Sequence, residues 1–83
     1  MTPVIYRIFK DGGDVVALFP TIDADVNGRY CQSYQHVGQH GGADYTGCIV
    51  MSRPAKADEY RDLHNELVQI GYDDLKIYRR KPN

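Results

Sequence analysis

The sequence predicts an α+β domain: a two-layer, mainly antiparallel sheet of about five strands in the order β-β-β-β-α-β, with one helix on one face. Three observations predict it. Short β-branched and aromatic runs are separated by clusters of glycine, proline and aspartate, a single late segment carries a helical apolar stripe, and 83 residues suffice for one core only. A chain this short buries only about 60% of the surface its unfolded form exposes, so residues 1–83 are read as one domain with a thin stability margin.

Each element has its own local reason. Val4-Ile5-Tyr6-Arg7-Ile8-Phe9-Lys10 has strand composition, and Asp11-Gly12-Gly13-Asp14 supplies the positive-φ positions of a tight turn. The return strand Val15-Val16-Ala17-Leu18-Phe19 is uninterrupted apolar sequence, which places it centrally, and Pro20 is expected to stop it. After the polar stretch Asp23 to Gly28, residues 30–37 resume an extended pattern with Tyr30, Gln32, Tyr34 and His36 on one face. Residues 38–43 read as a second hairpin connection. Residues 45–51 read as a fourth strand, although a short helix would also accommodate so brief an apolar run. With Val37 opposite Asp44, that pairing sets Ser33 against Cys48 and leaves Cys31 diagonal to Cys48 at about 7 Å. From Ala57 to Ile70, Tyr60, Leu63, Leu67 and Ile70 recur at spacings of three and four, an amphipathic helix with Asp58 and Glu59 in its first turn and Gly71 as its left-handed cap. Leu75-Lys76-Ile77-Tyr78-Arg79 alternates as a half-buried last strand.

A helix of about 14 residues spans about 21 Å and covers one face of such a sheet. The opposite face is therefore expected to meet water or a partner. Its candidate residues are Gln32, Tyr34 and His36 from the third strand and Lys76, Tyr78 and Arg80 from the last, joined by Gln39 and His40 from the 38–43 loop. These are uncharged hydrogen-bonders, aromatics and cations, suited to recognition.

Composition narrows the classes. The net charge of −1 gives no general attraction to nucleic acid or to anionic membrane. No apolar run reaches the roughly 18 to 20 residues of a bilayer span, and the N-terminal residues lack a signal-peptide pattern, so a cytoplasmic location without membrane partners is expected. In that compartment Cys31 and Cys48 are expected as packed free thiols. No catalytic set and no cofactor pattern is read from the chain.

Four constellations carry chemistry against a plainer reading. Asp23-Ala24-Asp25-Val26-Asn27-Gly28 fits the first half of a calcium loop, yet Tyr34 stands where the bidentate glutamate belongs, and an Asx-rich turn has the same letters. Cys31, His36 and His40, with His64 available from the helix, offer thiolate and imidazole for a metal, and a metal-binding protein using His36 and His40 is one alternative function; a hairpin whose histidines satisfy turn backbone is the plainer account. Asp73-Asp74 reads as a polar turn. Tyr6 beside Arg7, and Tyr78 between Lys76 and Arg79, would let an open sheet stack bases and meet phosphates, which makes a single-stranded nucleic-acid-binding module the other alternative.

Ser33-Tyr34-Gln35-His36-Val37-Gly38-Gln39-His40-Gly41, Ser52-Arg53-Pro54-Ala55, Glu59-Tyr60 and Gly71-Tyr72-Asp73-Asp74-Leu75 together resemble a family of small uncharacterised proteins from gut bacteria, their phages and mobile elements. The resemblance runs from Val4 to Arg80 and brings no assigned activity, so it implies no functional residue. It implies a proline where this chain has Asp23, which weakens the calcium reading, and a threonine-type helix cap where this chain has Lys56, a poor N-cap. The leading expectation is a non-enzymatic interaction protein, an accessory factor of a phage or mobile element, that contacts a protein partner or a second copy through the open sheet face or the 38–43 loop.

Overall fold

The computed structural model describes residues 2–23, 30–35 and 39–80. The chain has the expected α+β architecture, with eight elements: β1 (Thr2–Phe9), β2 (Val15–Asp23), β3 (Tyr30–Gln35), β4 (Gln39–Asp44), α1 (Tyr45–Val50), β5 (Ser52–Pro54), α2 (Ala57–Gln69) and β6 (Leu75–Tyr78). Among the described residues the six strands form one sheet in the order β4-β3-β2-β1-β5, and β6 also pairs with β1. Every pairing is antiparallel except β1 with β6, which is parallel. β1 therefore has two neighbours along one edge: β6 beside its first half, with Thr2 opposite Leu75, and β5 beside its second, with Phe9 opposite Ser52.

The β1–β2 hairpin closes through the predicted glycines. Gly12 and Gly13 have φ of 91° and 73°, a region closed to most side chains, and Phe9 N–H donates to the Asp14 carbonyl at 2.9 Å. Pro20 does not end β2. The strand continues to Asp23 across a register shift between Phe19 and Asp23, beyond the last paired residue of β1, where a missing N–H costs no ladder bond.

Two differences from the sequence reading matter. Where the sequence predicts a hairpin connection over 38–43, residues 39–44 are strand β4, and where it predicts a strand over 45–51, residues 45–50 are helix α1. The register accordingly sets Cys31 against Ala43 and Ser33 against Gly41, and Cys48 does not belong to the ladder. The reason lies in packing. Tyr45, Cys48 and Ile49 stand at helical spacings of three and four, and all three pack against Ile5, Val16, Leu18 and Cys31 on one side of the sheet.

α2 covers the other side. Its Leu63 and Leu67 close over Val4, Tyr6, Ala17, Phe19 and Tyr34, with Tyr60, Tyr72 and Leu75 at the margin. The helix starts well despite Lys56. The Glu59 carboxylate, three residues on, accepts from the Lys56 backbone N–H at 2.8 Å, the half of a capping box that needs no acceptor on the N-cap side chain. It ends in a Schellman turn: Gly71, φ 124°, donates to the Val68 carbonyl at 3.2 Å and Tyr72 to that of Leu67 at 3.1 Å.

Candidate functional site

The expected open face does not exist in the form the sequence suggested, because α1 lies on it. Tyr34 is 2% exposed under α2, and its hydroxyl donates to the Glu66 carboxylate. Tyr78 is half-buried on the opposite side, against the cluster beneath α1, with Lys76 Nζ 5.8 Å from its ring centroid. The third-strand and last-strand candidates thus occupy opposite faces, and Tyr34 is core. Gln32 lies opposite Gly42 and is half-buried, and Arg80 is exposed past the end of β6. His36 falls outside the described residues, and Gln39 and His40 are placed by their backbones at the far end of β4. The metal reading of His36 and His40 and the calcium reading of residues 23–28 therefore fall largely outside the described residues. His64 does separate from Cys31: it sits on the α2 side, its Nδ1 2.8 Å from the Tyr6 hydroxyl, whereas Cys31 is buried on the α1 side.

Tyr6 and Arg7 are interior as well. Tyr6 stacks on Tyr60 with centroids 4.5 Å apart, and burial first, then the neighbouring Tyr60, pushes its phenol well above the ordinary range. Arg7, 8% exposed, donates from Nε to Ser52 Oγ at 2.9 Å and from Nη2 to the carbonyls of Ser52 and Ile49 at 2.7 and 3.0 Å. A cation meeting the Ile49 carbonyl, in the last turn of α1, is favourable for that helix end. Neither side chain is placed to stack a base or meet a phosphate. The Ser52 hydroxyl in turn donates to the Cys48 carbonyl, so one buried polar cluster joins β1, α1 and β5. Neither Cys31 nor Cys48 is in a disulfide, and burial, then nearby Asp44, raises the Cys48 thiol.

Three surface features remain. The first is β4, the outermost strand: it pairs with β3 on one edge, and among the described residues no strand pairs with the other. Its Gly41 and Gly42 are exposed, and a groove of about 360 Å³ runs beside them, lined also by Phe9, Val16, Ser33, Gln35, Ala43 and Cys48. The other two flank the start of α2 and have opposite charge. A cleft of about 430 Å³ is lined by Asp14, Glu59 and Asp62 without a base, and one of about 470 Å³ by Arg53, Lys56 and Arg79 without an acid. The bidentate Arg53–Glu59 pair, 2.9 and 2.6 Å, stands between them and draws the Glu59 carboxyl down to about 2. The sequence reading missed this pair. Its signal was present, a glutamate at the third helical position with an arginine six residues before it.

Among the described residues no helix is long and apolar enough to cross a membrane. No protein-family model matches the chain, and no curated protein or solved structure is significantly similar to it.

Proposed function

We propose that this chain is a non-enzymatic interaction protein, an accessory factor of a phage or mobile element, that receives a strand of another protein chain along the outer edge of β4. The observation that carries the reading is the edge itself. β4 has six residues, Gln39–Asp44, with neither proline nor lysine, the residues that natural edge strands use to refuse a partner. Alternate backbone groups of an outer strand point away from the sheet, and an added strand would satisfy them. In such pairing, main-chain hydrogen bonds supply affinity and pockets for alternate side chains supply selectivity. The groove beside Gly41 and Gly42, lined by Phe9, Val16 and Ala43 together with the polar Ser33 and Gln35, is a partly apolar pocket of that kind. Of the 38–43 segment expected from sequence as a contact loop, residues 39–43 keep that role in this reading, as an edge instead of a loop. A second copy is the simplest donor, since two outer strands related by a two-fold axis pair antiparallel.

The test uses Gly41→Lys. Nothing lies within 4 Å of a Cβ built at Gly41, so the fold accommodates the side chain while the edge acquires a blocking charge. Wild-type protein should sediment as a dimer, or recover one specific protein from host lysate, and the variant should do neither at unchanged melting temperature. Equal association by both proteins would place the interface elsewhere.

A further inference from the structure

We infer that the basic cleft between β5, β6 and the start of α2 is a binding site for a nucleoside phosphate, either free or within a single strand. Three kinds of group converge there. Lys56 and Arg79 supply cations beside the Glu59-paired Arg53, Tyr60 supplies an aromatic ring, and Ile77, 41% exposed, supplies an apolar wall. The volume of about 470 Å³ lies in the range of small-ligand sites, about 300 to 1,000 Å³. Local charge decides the sign of the ligand. The whole chain is −1, yet no acidic side chain lines this cleft. Glu59, which pairs with Arg53, lines the acidic cleft instead. Its bidentate hold fixes the Arg53 side chain, while Arg79 has no carboxylate partner among the described residues and is exposed.

The aromatic floor is already ordered. Tyr6, 3% exposed, forms the bottom of the cleft, and Tyr60 is stacked on it at an interplanar angle of 12°. A ring held in this way loses little side-chain entropy when a base packs against it, and stacking of a base on an aromatic side chain contributes independently of sequence. Cations at the rim meet the phosphate at the same time. This cleft and the β4 edge lie at opposite ends of the strand order, so occupancy of one leaves the other free.

The experiment measures fluorescence anisotropy with a labelled single-stranded deoxythymidine oligonucleotide at low salt, and calorimetry with a mononucleotide. Saturable binding of both probes indicates that the nucleoside phosphate unit is recognised, and binding of the oligonucleotide alone indicates that the strand is. Either result supports the inference when Lys56→Ala/Arg79→Ala weakens binding about tenfold or more and lowers the slope of log affinity against log salt by about 2. Both side chains are exposed, and an unchanged melting temperature confirms that the variant folds. Binding of neither probe overturns the inference. Binding that the double variant retains within about twofold overturns it too, since the contacts then lie outside this cleft.

Discussion

Replacing Arg7 by methionine tests whether the second face of the sheet is held covered. Methionine keeps the apolar stem and deletes the donors to Ser52 Oγ and to the carbonyls of Ser52 and Ile49. Hydrogen bonds from a charged group contribute about 1.5 to 3 kcal/mol each. The three do not add, because they share one guanidinium whose burial itself costs free energy, and the Ser52 hydroxyl retains the Cys48 carbonyl as acceptor. A net loss of about 3 kcal/mol is expected. For 83 residues the whole stability is about 4 to 12 kcal/mol, so the melting temperature should fall by about 12 to 24 °C. The loss should also be local, since these bonds tie the end of α1 to β1. Cys48, half-buried on the inner side of α1, should react with a thiol reagent many times faster in the variant well below its melting point, and Cys31, buried beneath α1, should gain reactivity with it. Melting within about 2 °C of wild type together with unchanged Cys48 labelling would refute the argument that Arg7 anchors α1.

Other perturbations have equally definite outcomes. Glu59 is held at about 2, below the ordinary carboxylate value of about 4.3, first by Arg53 and then by the Lys56 N–H, so its stabilising contribution is complete above pH 4.3 and disappears as pH falls through 2. Glu59→Gln keeps the backbone cap but not the charge, and the gap between its melting temperature and that of wild type should close as pH is lowered from 5 to about 2; a gap that stays constant would contradict the ion pair. Tyr34→Phe should cost about 1.5 to 3 kcal/mol by chemical denaturation, through the lost bond to Glu66, and should leave partner recovery unchanged; weakened recovery by a folded variant would return Tyr34 to the surface. Gly71→Ala should cost at least about 1 kcal/mol because φ of 124° excludes a Cβ, and a neutral result would argue against the left-handed cap. Leu67→Ala, at a site with 0% exposure, should cost about 2 to 5 kcal/mol in the same assay, and a loss below about 1 would place α2 off the sheet.

Sequence by itself determined the elements whose signal is local. The stripe of Tyr60, Leu63 and Leu67, ended by Gly71, is α2, and the glycine pair at 12 and 13 between two apolar runs is the first hairpin, because periodicity and positive φ are properties of neighbouring residues. It also made the strand Tyr30–Gln35 and the last strand legible. Tertiary structure alone decided the rest. Six residues from Tyr45 to Val50 complete under two helical turns, too few for a period to be read, and only the apolar surface of Ile5, Val16 and Leu18 selects a helix there. Gln39–Asp44 has no intrinsic preference for a strand, with two glycines at its centre, and is extended because β3 offers it a ladder. The candidate surface shifted with the helices: α1 covers the face that Ile5 and Leu18 present and holds Arg7 inside, α2 buries Tyr34 on the other face, and the candidates become an edge and a cleft whose residues, from Arg53 to Arg79, only the fold brings together.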